Sequence, residues 1–169
     1  MKTTFSLLQN LFPRRTCGRN LRWKLSGKTL HIKGRGKMRD YYLMNVPWRD
    51  GLPLIEKVVI EDGVTTVGDY AFAGCTALTS VDIPNSVTSI YCWAFYGCRD
   101  MTEITLLRGV EKIGSYAFAD CKSLSLVNCL CLHPVSLPAS TFDGVDLSRA
   151  TLRVPHGSEE MYRSAPVWR

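Results

Sequence analysis

The chain has 169 residues, 46% of them hydrophobic and 21% charged, with seven cysteines and a formal net charge of +6. That length suffices for one domain with a continuous core, and no run approaches the roughly 20 apolar residues that a membrane-spanning helix needs. The odd cysteine count excludes a complete disulfide framework.

The charge is uneven. Residues 1–39 hold eleven Lys and Arg and no acid, while the rest of the chain holds ten basic and fifteen acidic residues. Arg14, Arg15, Arg19, Arg22, Lys24, Lys33, Arg35, Lys37 and Arg39 therefore form a basic segment able to attract nucleic acid, acidic glycan or anionic lipid. A solvated face with a targeting remnant is the plainer reading. The start, MKTTFSLLQNLFPRR, is a poor secretory signal, because Gln9-Asn10 break its apolar stretch and no small-x-small site follows. Residues 1–16 lack periodicity and are expected to be an irregular lead-in.

From Leu21 the chain alternates. Leu21, Trp23 and Leu25 interleave with Arg22 and Lys24, and Leu30 and Ile32 with His31 and Lys33, so two strands joined at Ser26-Gly27-Lys28 form a hairpin. Gly34 and Gly36 end it. Tyr41, Tyr42 and Pro47-Trp48 follow in a loop whose large rings can pack over an exposed end of a core.

Between Leu54 and Lys122 a 23-residue line occurs three times. The aromatic-Ala-Phe step recurs as Tyr70-Ala71-Phe72, Trp93-Ala94-Phe95 and Tyr116-Ala117-Phe118, each followed three residues later by a cysteine, Cys75, Cys98 or Cys121. Val58, Val81 and Ile104 align, as do Ile60, Ile83 and Leu106, in a pattern suited to a short strand. Val64, Val87 and Val110, then Val67, Ile90 and Ile113, give a second extended piece. Gly74, Gly97 and Asp120 precede the cysteines at a tight or single helical turn. A unit of this size cannot bury its apolar residues alone, but stacked on its neighbours it can. The prediction is a repeat solenoid with ladders of Phe72, Phe95 and Phe118 and of Cys75, Cys98 and Cys121. A fourth unit decays: Phe142 arrives 24 residues after Phe118, Val145 replaces the cysteine, and Pro134 and Pro138 interrupt the second strand. Thr151–Pro155 reads as a last strand, and Ser158 as the cap of a short helix that opens with Glu159 and Glu160 and stops at Pro166. The organisation expected is a lead-in over 1–16, a hairpin cap over 17–53, repeats over 54–148 and a strand-helix cap over 149–169.

No catalytic grouping emerges. His31, His133 and His156 lie in separate segments, and no nucleophile-base signature or phosphate-loop spacing appears. Cys129-x-Cys131-x-His133 would face one way on a strand, yet it lacks a fourth ligand, and core packing is the stronger reading. Cys92 occupies a variable position and is expected as a free thiol. No cofactor or metal is expected. Tyr70, Trp93 and Tyr116 can serve either as an exposed binding strip or as core. Tyr96, Arg99, Asp82 and Thr105 vary between lines and are candidate ligand contacts.

The lines LTSVDIPNSVTSI and GDYAFAGC resemble the BspA-type leucine-rich repeat. CGRNLRWKLSGKTLHIKGRGKMRDYYLMNVPW, from Cys17 to Trp48, is similar to the hairpin segment that often precedes such repeats, and ATLRVPHGSEEMYRSAPVW to the strand-helix unit that closes them. The resemblance implies a right-handed solenoid of the leucine-rich repeat class. It also implies a secreted or cell-surface protein used in adhesion and in binding host or matrix proteins. Polyanion binding through the basic segment is the alternative.

Overall fold

The computed structural model describes residues 15–42 and 45–168. Strand β1 (Leu21–Ser26) and strand β2 (Thr29–Gly34) form an antiparallel hairpin in which Leu21 faces Gly34 and Ser26 faces Thr29. Its two-residue turn starts at Gly27, whose φ of +58° is open to glycine without strain. Leu21, Leu30 and Ile32 are buried, while Arg22, Lys24 and Lys33 face water. Pairing reaches back into the expected irregular lead-in: the Trp23 N–H donates to the Arg15 carbonyl at 2.9 Å, and Thr16 bridges Arg22. Two residues are too few to carry a period, which is why the sequence pattern misses them. The rest of that lead-in, Arg14 included, lies outside the described residues.

The hairpin is also the first rung of the stack. Strand β2 pairs in parallel with β4 (Lys57–Ile60), and β4 with β6 (Ser80–Asp82). A second sheet joins β3 (Gly36–Lys37), β5 (Val64–Val67), β7 (Ser89–Ile90) and β9 (Lys112–Ile113) in that order. A third joins β8 (Glu103–Leu106), β10 (Leu126–Cys129) and the closing strand β11 (Thr151–Arg153). Val58 lies beside Val81, Ile104 beside Val127, and Ile90 beside Ile113, so one sequence period is one coil. Between β6 and β8 no ladder forms among the described residues. Glu61 and Leu130 each give an N–H to the preceding coil, to Ile32 and Leu106, at 2.9 Å. Pro84 occupies the equivalent position and has no N–H to give to the preceding coil, so the β4–β6 ladder stops at Asp82. Val81 is only half-buried.

The third side of each coil is a return turn. The N–H groups of Phe72 and Phe95 donate to Ala94 and Ala117 of the next coil at 2.8 Å, so backbone bonds rather than strands join this side. Gly74 and Gly97 close it with φ of +76° and +69°, and Asp120 takes the same left-handed conformation at +56°. Inside runs one aromatic column. Trp48 stacks on Phe72 at 5.7 Å, and Phe72, Phe95, Phe118 and Phe142 follow at 5.3, 5.4 and 5.6 Å. Beside it Cys98 and Cys121 donate their thiols to the Phe72 and Phe95 carbonyls at 3.3 and 3.2 Å. The extra residue before Phe142 is absorbed ahead of the turn, and the Val145 N–H bonds Phe142 as each cysteine N–H bonds its own Phe.

Both ends are closed by rings. The Trp48 indole donates to the Ala71 carbonyl at 3.0 Å, with Tyr41 and Trp23 packed edge-on against it. At the other end helix α1 (Glu159–Ser164) inserts Tyr162 under the fourth coil. The Tyr162 hydroxyl donates between the Cys131 and His133 carbonyls, both at 3.0 Å, and lies 3.1 Å from Cys129 Sγ. Trp168 covers Phe142 and donates to Val135. Ser158 does not cap α1 as the sequence suggests. It is buried, and its hydroxyl donates to the Pro155 carbonyl instead of accepting from the helix. The Glu159 carboxylate reaches back to the Gly157 N–H in its place. Ala165 is extended before Pro166, which ends the helix. Among the described residues no helix is long and apolar enough to cross a membrane.

Candidate functional site

The candidate residues fall on different sides of the coil. Tyr70, Trp93 and Tyr116 begin the return turn, and each has a left-handed backbone, with φ of +55°, +53° and +58°. That conformation is unfavourable for a bulky residue. It is held by bonds to the next coil, as from the Tyr70 N–H to Cys92 O and from the Trp93 N–H to Ser115 O. The rings stack at 5.2 and 4.9 Å with planes 2° and 17° apart. They are half-buried. Both faces of Trp93 and one face each of Tyr70 and Tyr116 are covered within the stack, so these rings form a second, outer column rather than core or a fully open strip.

Tyr96 and Arg99 stand exposed further along the same turn. A hydrogen bond with Asp120 of the next coil, reinforced by that carboxylate's charge, raises the Tyr96 hydroxyl above its ordinary pKa. Asp82 and Thr105 lie on the outer faces of β6 and β8, away from this turn. Cys92 is a half-buried free thiol. Its N–H donates to Asp69 Oδ1 at 2.7 Å, and the Asp69 N–H donates to Asp40 Oδ1 at 3.1 Å, a carboxylate stair between coils. Burial pushes the Asp69 carboxyl up, against the Cys92 N–H bond and with the help of Asp40.

Cys129, Cys131 and His133 do not converge. Both cysteines are buried, and Cys131 donates to the Leu107 carbonyl at 3.3 Å, but the strand has ended and His133 is exposed. Among the described residues no group of three or more His, Cys, Asp or Glu could hold a metal ion. Burial pushes the thiols of Cys17, Cys75 and Cys131 up to about 12 and so suppresses their nucleophilicity.

The basic residues divide as well. Arg22 sits directly opposite Lys33 on the outer face of the hairpin, with Lys24 opposite His31. Arg35 precedes β3, Lys37 lies in it and Arg39 beyond it, while Arg19 precedes β1 and is exposed. Arg15 lies over the Trp23 ring at 5.7 Å. Among the described residues, the first ion pairs join the hairpin turn to the repeats, as Lys28–Glu56, and adjacent coils, as Lys57–Asp82 at 2.8 Å. The outer face of the strands is thus basic on the hairpin, ion-paired over β4 and β6, and largely polar over β8, β10 and β11, where Glu103, Thr105, Asn128, Thr151 and Arg153 face out, with an apolar pair just beyond the C-terminal end of β10. Leu130 and Leu132 make that pair, and sequence reasoning passed over them. The signal was present, since Asn128, Leu130 and Leu132 alternate with Cys129 and Cys131.

Stacked coils of 23 residues, short parallel strands and a Phe column define a β-solenoid of the leucine-rich repeat class. The chain belongs to the BspA type leucine-rich repeat family, whose repeat region matches residues 51–162. Among solved structures it is similar to a leucine-rich repeat protein from Eubacterium ventriosum, with a TM-score of 0.60 and 21% identity over 85% of this chain and 44% of that one. It is also similar to a leucine rich cell surface protein from Faecalibacterium prausnitzii, with 37% identity and a TM-score of 0.45 over 47% of this chain and 21% of that one. The chain thus spans less than half the length of either. No curated protein matches it.

Proposed function

We propose that this repeat module is a non-catalytic protein-binding and adhesion unit that works on or outside a cell, with a host or matrix protein as its ligand. The observation that carries the reading is the division of labour within each coil. Phe, Ala, Cys and the inward Val and Ile are consumed by the stack, whereas the outward positions change from coil to coil. A rigid scaffold with a varied outer face suits recognition of a folded surface or chain segment. Asp82 and Thr105 on that face are candidate contacts, with Tyr96, Arg99 and the rims of Tyr70, Trp93 and Tyr116 at the far corner. The separation of His31, His133 and His156 favours binding over catalysis, and the family resemblance supports the location. Protease shaving of intact cells tests it: release of the module supports the reading, and recovery solely from the cytosol overturns it.

A second reading has its own observation. Like charges directly opposite on a hairpin cost stability, yet Arg22 faces Lys33 beside Lys24 with no acid on either strand. That face suits an acidic glycan or nucleic acid. Binding to heparin would then fall steeply with salt and vanish when Arg22, Lys24 and Lys33 become Ser. Salt-independent binding would reject it.

A further inference from the structure

We propose that the surface at the C-terminal ends of β8, β10 and β11, built by Arg108, Leu130, Leu132 and Arg153, is a docking site for an extended segment of a partner protein rich in aliphatic and acidic side chains. The proposal rests on the protein-binding reading and narrows it to one surface and one ligand chemistry.

Beyond β10 the alternation continues through Cys129-Leu130-Cys131-Leu132. The Cys131 thiol turns inward to the Leu107 and Val110 carbonyls at 3.3 and 3.5 Å. Leu130 and Leu132 are therefore directed outward and stand 43% and 55% exposed. No other two of the exposed large hydrophobic side chains among the described residues lie within two positions of each other. Leaving both in water forgoes the burial that drives folding, and paired exposure of this kind marks interaction surfaces. Leu107 flanks Leu130 on one side, where the Leu130 N–H bonds the Leu106 carbonyl, and Pro155 flanks it on the other.

The relief matches. Arg108, Leu130, Arg153 and Pro155 border an open cleft of about 500 Å³, and Arg108 and Leu132 border an adjoining one of about 340 Å³ whose floor includes Cys131. Arg108 stands between the two. Neither Arg108 nor Arg153 belongs to an ion pair among the described residues, and Glu111 at the far rim is the one carboxylate bordering the clefts.

Charge complementarity selects the occupant. Two unpaired guanidiniums favour carboxylates and disfavour Lys or Arg, while the leucines call for apolar side chains. A polyanion would leave the leucines uncovered. A second copy of the same face would bring four guanidiniums to one interface with only Glu111 from each copy to offset them.

The test probes the full chain with an array of short synthetic peptides in four composition classes: acidic with aliphatic, basic with aliphatic, acidic with Gly and Ser, and aliphatic with Gly and Ser. Enrichment of the acidic-aliphatic class is expected. Affinity should fall at least about tenfold in Leu130→Ser/Leu132→Ser, and preference should swing to the basic-aliphatic class in Arg108→Glu/Arg153→Glu. All these side chains are exposed, so the variants should fold, and unchanged thermal melts verify it. Charge-blind enrichment, or enrichment that survives both variants, would overturn the proposal. So would concentration-dependent dimerisation abolished by Leu130→Ser/Leu132→Ser, which would assign the face to a second copy. Capture of a matrix protein by the intact chain that is unaffected by either variant would reject this surface and leave the protein-binding reading standing.

Discussion

Replacing Phe95 by Ala removes the middle ring of the inner column. Phe95 is fully buried and stacks on Phe72 at 5.3 Å and on Phe118 at 5.4 Å. Truncating a buried Phe to Ala costs about 3–5 kcal/mol through lost transfer energy and the cavity left behind. Each stacked pair contributes about 0.5–1.5 kcal/mol beyond its area, which places the loss at the upper end of that range. Against a typical domain stability of about 5–15 kcal/mol, a third or more of the total is at stake. At about 2–4 °C per kcal/mol for a chain of this size, Tm should drop by about 10–20 °C. Thermal and urea unfolding followed by far-UV circular dichroism would measure it, with exposed Lys122→Ala as a control expected within about 0.5 kcal/mol of wild type. A second variant, Phe95→Leu, keeps most of the volume and loses the stacking, so it should fall between the two. A Phe95→Ala loss under about 1.5 kcal/mol would refute the column as the stack's principal stabiliser.

The buried thiols make stability fall with alkali. Cys17, Cys75 and Cys131 are held up to about 12 by burial, against an ordinary value of 9.0. The unfolded chain loses those protons first, so their contribution is full below pH 9 and is lost as pH rises towards 12, by up to about 1.4 kcal/mol per pH unit per thiol. Urea midpoints at pH 7 and 10 should differ, and Cys75→Ala should shrink the difference; midpoints equal at both would contradict it. Tyr162→Phe removes the hydroxyl that meets the Cys131 and His133 carbonyls. It should cost about 1–3 kcal/mol and speed amide exchange in α1, whereas unchanged exchange would show that the hydroxyl does not pin the cap. At Gly97, φ is +69° and an added Cβ would meet nothing within 4 Å. Gly97→Ala should therefore cost about 1–2 kcal/mol from backbone conformation alone, and a neutral result in urea unfolding would refute a rigid left-handed turn there.

The scaffold was legible because stacking makes every ladder position a repeated constraint. A buried Phe at 72, 95 and 118 must recur at one coil's spacing or lose its partner ring. The hairpin was legible for the same kind of reason, since Leu21, Leu30 and Ile32 must alternate with Arg22 and Lys33 to face the core. What resisted reading were contacts without a period. Ser158 has a capping side chain in the right place, but a Pro155 carbonyl within reach competes for it. Tyr70, Trp93 and Tyr116 looked ambiguous because period alone does not distinguish an inner stack from an outer one; their left-handed backbone turns them to the rim. The apolar pair at Leu130 and Leu132 was hidden because the same stretch holds Cys129 and Cys131, whose spacing draws attention to ligand chemistry. Burial of both thiols leaves Leu130 and Leu132 as the outward side chains of that stretch.

Recognition is carried by the surface at the C-terminal ends of β8, β10 and β11. Its most direct test is equilibrium binding of the purified chain to immobilised collagen, fibronectin and laminin, comparing wild type with Leu130→Ser/Leu132→Ser and with Tyr96→Ser/Arg99→Ser. Saturable binding to at least one protein, a loss of about tenfold or more in the leucine variant, and a smaller loss in the turn variant are expected. Absence of binding to all three, or a loss confined to the turn variant, would contradict it.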